Sequence, residues 1–538
     1  MSNVLNNPNK SKHKTILIGI LCLPVIYVLA QTIQPPVKTA AQEKNRVYLD
    51  HADSLVYNKN INPDVQVLMG NVRFRHGSAI MDCDSAYFYD KTNSLDAFGN
   101  VEMNQADTLF VYGNVLYYNG NRHLARLREN VRMENRGVTL FTDSLNYDRI
   151  ANIGYYFNGG TIIDDENELS SVYGQYHPGT KIAVFHYDVR LYNPDFTLYS
   201  DTLRYNTDTG IATILGPSTI VTDSSTIYCS RGWYNTRTNQ SELLDRARVI
   251  TRTQTLTGDT LRYDRANGIG QAFGNIEMID TVQKVMLRGG YGYHNERTDY
   301  SFVTKRALAI EYSEKDSLYL HADTLKTLPD SIYKVLRAYR NVRFFRVDFQ
   351  GICDSMQYNT RDSVLCMYKE PVLWYEDYQI YGDSILIYMN DSVPDFAHVK
   401  EFAFAISKKD SLNHYDQLTG MDMKIYFEGR NIRHIAVSGN AESIYYPEDE
   451  EDKSLIGLNK TISGFLDIYM IDKKIDKMVI YPTPQGSLTP TGKIPPNELY
   501  LKNFVWFDYL RPTNQEDVFR EVKKKEDTPA YKSRRFKY

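Results

Sequence analysis

Cysteine, tryptophan and every familiar catalytic signature are scarce in this chain. Five cysteines and three tryptophans occur in 538 residues, too few thiols for a disulfide-built scaffold. No Cys-x-x-Cys pair is present, and the 11 histidines are scattered without His-Glu-x-x-His spacing, so no metal site is expected. Gly-x-Ser-x-Gly, a phosphate-cradling Gly-x-x-x-x-Gly-Lys and calcium-binding glycine–aspartate nonapeptides are likewise missing, and no cofactor is expected. A formal net charge of −4 argues against a general nucleic-acid binder. No stretch before Glu448 shows a helical period, which leaves an essentially all-β body.

Tyrosine is abundant, with 43 copies, and its placement organises the chain. Tyr118, Tyr147, Tyr176, Tyr205, Tyr234 and Tyr263 follow one another at intervals of 29, and Tyr293 comes one residue late. Each closes or continues a recurring word, clearest as Asp259-Thr260-Leu261-Arg262-Tyr263-Asp264, Asp201-Thr202-Leu203-Arg204-Tyr205-Asn206 and Asp143-Ser144-Leu145-Asn146-Tyr147-Asp148. A second word, Gly-Asn-Val-x-apolar, appears as Gly70-Asn71-Val72-Arg73-Phe74, Gly99-Asn100-Val101-Glu102-Met103 and Gly274-Asn275-Ile276-Glu277-Met278, with a weaker copy at Asn130-Val131-Arg132-Met133. Gly-Asn tolerates positive φ and predicts a bend or bulge, after which apolar and polar residues alternate as in a strand. A fixed period of this size marks units that bury an apolar face by stacking on their neighbours. The expected fold is an elongated, all-β, jellyroll- or solenoid-like stack of repeats about 29–31 residues long.

Boundaries follow from composition. Lys10, Lys12, His13 and Lys14 precede an apolar run from Ile16 to Ala30, so residues 1–30 are expected to be an export signal or a membrane anchor. Residues 31–45 read as a linker, 46–446 as the repeated body, 447–511 as a C-terminal cap over the last repeat, and 512–538 as a basic tail. Cys353 and Cys366 flank a turn and could face one another across a hairpin, although free thiols are the preferred reading. Asp82 and Asp84 sit on one strand. The recurring aspartate is expected to serve a turn rather than catalysis, and the chain is expected not to be an enzyme.

An exported chain carrying these two words in tandem resembles the OstA-like (organic solvent tolerance) family of periplasmic lipopolysaccharide-transport bridge proteins. The resemblance covers about 46–446. It implies an elongated β-jellyroll of two sheets facing each other in a V, whose interior holds the acyl chains of lipid A. It also implies partners among the other lipopolysaccharide-transport components, met by edge-to-edge strand pairing, with the N-terminal edge at Asp53 to Asn58 the preferred docking site. Under it, the apolar positions of both words become groove candidates: Val72, Phe74, Val101, Met103, Val131, Met133, Leu145, Tyr147, Leu203, Tyr205, Leu261, Tyr263, Ile276 and Met278. An exported carbohydrate-binding or structural β-solenoid is the alternative. The repeated tyrosines, in phase with leucine, belong to the apolar face and weigh against it as sugar platforms.

Overall fold

The computed structural model describes residues 45–522 and 524, apart from 313–315, 331–332, 391–392, 430 and 450. The expected signal, nearly all of the linker and the last fourteen residues lie outside the described residues. Among the described residues 36 strands form one long sheet in which every pairing is antiparallel, and the sheet does not close into a barrel. Most units supply two long strands, such as Ser94–Gln105 and Leu109–Asn119, and in a few a long strand is split into two short ones. Near its middle each long strand skips register, between Phe98 and Val101 for one pair and between Phe273 and Ile276 for another. These shifts align into a crease that folds the sheet into two facing arms.

The crease explains the Gly-Asn word. Gly99 and Asn100 both take positive φ, 74° and 43°, as do Gly274 and Asn275 at 67° and 41°. Two successive left-handed residues turn the strand sharply, and Gly-Asn adopts them at least cost. The aspartate of the other word completes the corner. Asp84 accepts a hydrogen bond from the Asn100 amide at 2.9 Å, Asp259 from Asn275 at 2.7 Å and Asp53 from Asn71 at 2.9 Å. A Cβ on Gly99 would lie 2.5 Å from the Asp84 carboxylate, and one on Gly274 2.3 Å from Asp259. Glycine is therefore needed twice over, for its φ and for the space the aspartate fills. The recurring aspartate is structural, as its strand-start position suggested, although it mostly holds an asparagine side chain rather than backbone N–H groups.

One arm carries the tyrosine ladder. Across neighbouring strands each ladder tyrosine faces a small residue: Tyr118 opposes Ala125, Tyr147 opposes Ala125 and Gly154, Tyr176 opposes Gly154 and Ala183, and Tyr205 opposes Ala183 and Ala212. The large ring of one strand thus lies over the small side chains beside it, which fills the layer without overlap. The other arm carries the methionines, with Met81, Met103 and Met133 buried in the same core. Tyr293 falls out of the ladder: it pairs with Gln271 on the outer face, and Gly292 takes the inward position opposite Ala272.

The C-terminal part departs from the expected cap. Strands Gly457–Ile471, Lys474–Tyr481 and Gln485–Pro490 continue the same sheet, so the body runs some forty residues past Tyr446. The remaining chain, 491–522, does not close the end of the stack. It runs back along the outer surface of the methionine arm, where Leu501, Phe507 and Leu510 bury Val372, Trp374, Tyr381 and Phe404. Buried glutamines fasten its backbone. Gln417 donates to the Leu499 carbonyl and accepts from Leu501 N–H, both at 2.8 Å. Gln379 does the same with Val505 and Phe507 at 2.8 and 2.7 Å. The strap reaches as far as Val518, which packs on Leu308 and Ile310, so the first residues of the tail expected from 512 belong to the strap. Its signature in the sequence is loss of alternation: Val372-Leu373-Trp374-Tyr375 is apolar throughout, as a strand buried on both faces must be.

Candidate functional site

The interior between the arms is one physical surface with two states. From strand Gln66–His76 to about Tyr205 it is sealed. Val72, Phe74, Val101, Met103, Val131, Met133, Leu145, Tyr147, Leu203 and Tyr205 all belong to one buried core, so ten of the sequence-derived groove candidates meet in a dry interior. Inward and outward positions alternate as the words require: Met103 is fully buried while Glu102 is half-buried on the outer side.

Polar ties across the mouth hold this section shut. The Tyr118 hydroxyl, at the tip of one arm, lies 2.5 Å from His76 Nδ1 at the tip of the other. Arg149 donates to that hydroxyl at 2.6 Å and to the His76 carbonyl at 3.0 Å. Tyr176 donates to Asn135 at 3.2 Å, and Tyr205 to the Asp164 carboxylate at 2.9 Å. Burial pushes the Asp164 carboxyl and the Tyr205 phenol upward, since each loses solvation of its charged form. Burial, and then the Arg149 guanidinium, hold His76 down at about 4, so it stays neutral in its 0 % exposed site. The salt bridge from Arg265 to Asp195, 3.2 Å, lies farther along the same mouth.

Past that pair the interior opens. Tyr234 and Tyr263 turn to partners on their own rim, Asn239 at 2.8 Å and Glu296 at 3.0 Å, and Tyr263 is 36 % exposed although it points inward. The first core ends at Ile276 and the second begins at Ala322. Between them two inward positions are glycine, with Gly289 opposite Ile276 and Gly292 opposite Ala272. The apolar side chains that line this gap are only half-buried: Leu256, Met278, Leu287, Val303, Leu320 and Leu325. The result is an apolar trough open to solvent, interrupting an otherwise continuous core.

Of the sequence-derived candidates, Met278 and Tyr263 line the trough, while Leu261 and Ile276 mark its buried floor. Leu256 escaped sequence reading because it lies ahead of the word on its strand, and Leu287, Val303, Leu320 and Leu325 because their strands lack a clean copy of either word. The displaced Tyr293 and the glycines at 289 and 292 were the available signal.

The other expectations divide. Cys353 stands opposite Val342 and Cys366 opposite Gln357, so these two do not face each other across a hairpin. All four described cysteines are free, and burial raises the Cys353 thiol to about 12. Asp82 is engaged by Arg73 at 2.6 Å, and Asp84 by Asn100. Both ends of the sheet are open among the described residues. Among these residues, strand Ser54–Tyr57 pairs only with Gln66–His76, leaving Leu55, Val56 and Tyr57 exposed, and Lys474–Tyr481 pairs only with Gly457–Ile471. Such edges permit strand pairing with another chain. Among the described residues no helix is long and apolar enough to cross a membrane. A family model described as "OstA-like protein" matches residues 44–201 and 218–317. A comparison with curated proteins finds no match.

Proposed function

Because residues 44–317 belong to the OstA-like family, we propose that this chain is a periplasmic lipopolysaccharide-binding bridge protein, carrying lipopolysaccharide toward the outer membrane with its acyl chains in the trough. The interruption of the core between Ile276 and Ala322 carries this reading. A folded chain ordinarily removes apolar side chains from water at about 25 cal/mol per Å². Leaving Leu256, Leu287, Leu320 and Leu325 only partly buried forgoes part of that stabilisation unless another apolar body completes the layer. Acyl chains fit such a surface: they are flexible, lack hydrogen-bonding groups along their length, and suit the adaptable Met278. Binding rather than catalysis is the proposed activity, and the engagement of Asp82 and Asp84 in an ion pair and a corner supports it. Export by residues 1–30 would bring the chain to the periplasm, where its free strand edges would meet flanking transport components.

The test is site-specific photo-crosslinking in living cells. Crosslinkers at Met278, Leu287 and Leu320 should capture lipopolysaccharide. One at the outward Glu277 should not, because adjacent strand positions face opposite sides. One at Met103 should not either, because the sealed section leaves no room. Equal capture at inward and outward positions, or no capture with stable protein present, would sink the reading.

A further inference from the structure

The crease departs from the Gly-Asn pattern in several places, among them Lys305-Arg306 and Glu401-Phe402, and at one of them the outer surface opens. At Tyr187-Asp188 and Asp245-Arg246 the two left-handed residues persist, with φ of 64° and 50°, then 60° and 62°. The second residue, however, is no longer the asparagine that ties the corner to an aspartate. Asp201, the aspartate between them, accepts from Thr202 Oγ1 at 3.1 Å instead. The strands also split here, with Ile211–Ile214 and Ser218–Val221 separated by Leu215-Gly216-Pro217. A cleft of about 740 Å³ results, within the ~300–1,000 Å³ usual for small-ligand sites.

Its lining has a definite chemistry. Arg190, Tyr199, Thr219 and Tyr228 form a cross-strand row on the outer face. Tyr199 and Tyr228 are 48 % and 46 % exposed and stand two strands apart, roughly 10 Å, with only the short Thr219 between. That leaves a slot walled by two aromatic rings. Carboxylates of Asp188 and Asp245 and the hydroxyls of Ser170 and Ser230 surround it. Asp245 is paired with Arg231. Arg190 lies over the Tyr192 ring at 5.6 Å, and neither it nor Arg246 pairs with a carboxylate among the described residues.

We propose that this cleft binds a saccharide bearing an anionic group. The tyrosine rings stack on the C–H face of a pyranose, the carboxylates and serines take its hydroxyls, and Arg190 with Arg246 receives the carboxylate or phosphate. These tyrosines are not the inward ladder residues, so the apolar placement of the ladder does not bear on them. The site is separate from the trough and stands whether or not the trough holds lipid.

Titration calorimetry on the purified full chain tests it with four probes: trigalacturonate, deacylated lipopolysaccharide core oligosaccharide, neutral maltotriose and adenosine monophosphate. At least one acidic saccharide should bind about tenfold or more tighter than maltotriose, and which of the two wins identifies the source. Tyr199→Ala and Tyr228→Ala should each weaken binding by about tenfold, Tyr228→Phe by under about threefold, and Arg190→Gln should bring the acidic ligand down to the neutral one. Lipid capture at Met278 should be unchanged in Tyr228→Ala, which separates failure of this proposal from failure of the trough. Absence of saccharide binding, binding that survives both alanine changes, equal affinity for maltotriose, or tighter binding of the nucleotide would overturn it.

Discussion

Two stretches of the same sheet, about 66–206 and 254–328, share both words, yet one is sealed and the other open. In the first, a ladder of tyrosines fills the interior; the hydroxyls of Tyr118, Tyr176 and Tyr205 reach the opposite rim at His76, Asn135 and Asp164, while Tyr147 bonds to Asn152 on its own rim. In the second, Tyr263 bonds to its own rim and Gly292 stands where the next ring would be. A repeat can therefore keep its backbone and change its function through two kinds of position, the inward ring and the polar residue at the facing tip. Neither change disturbs the Gly-Asn and Asp corner, which Asn100 and Asn275 make alike at 2.9 and 2.7 Å.

The sharpest way to break this comparison is a charge on equivalent inward positions. Met103→Asp would bury an unpaired carboxylate in a dry core and should cost several kcal/mol, abolishing folded protein in a thermal melt. Met278→Asp, half-exposed, should cost under about 2 kcal/mol while blocking lipid capture. Equal destabilisation would erase the distinction. Filling glycines comes next. A Cβ on Gly154 already meets Leu145 and Met133 at 3.3 Å, so Gly154→Leu should lose roughly 3 kcal/mol by overpacking. Gly292→Leu, beside the trough, should lose less than half of that and narrow the lipid site, as urea titration and crosslinking would show.

Acid should act most strongly on the sealed stretch, through His76, although burial also lowers His321 in the second stretch. His76 is held at about 4 in the folded chain, below its ordinary 6.5, so the unfolded chain binds the proton first as pH falls. Stability is full above about 6.5 and is lost towards 4, with about 2 kcal/mol gone between pH 7 and 5. His76→Gln should flatten that dependence in melts at the two pH values. The smallest effect concerns the clasps. Tyr205→Phe leaves the buried Asp164 without its donor and should cost about 1–2 kcal/mol, with faster hydrogen exchange at the nearby arm tips. Tyr263→Phe should cost a few tenths at most.

Much of the body was readable because its signals are local. Asp259 to Asp264 and Gly274 to Met278 declare alternation and a bend within a few residues, and a period of 29 repeats that declaration until chance is excluded. The strap was not readable as such. Leu501, Phe507 and Leu510 are apolar in a proline-interrupted stretch that looks like any irregular ending. Their partners Val372, Trp374 and Phe404 lie about a hundred or more residues earlier, and only the loss of alternation at 372–375 hinted at a cover.

By itself the sequence determined the strand class, the crease and the inward register, since each is settled by a side chain acting on its own backbone or on the next strand. Which part of the interior is sealed was decided only in three dimensions. Tyr118, Tyr176 and Tyr205 clasp residues some forty positions away, whereas Tyr263, spelled in the same word, reaches only Glu296. Identical words give a closed core or an open trough according to what the twist of the sheet brings to the opposite rim, and that offset is a property of the stacked arms rather than of any one strand.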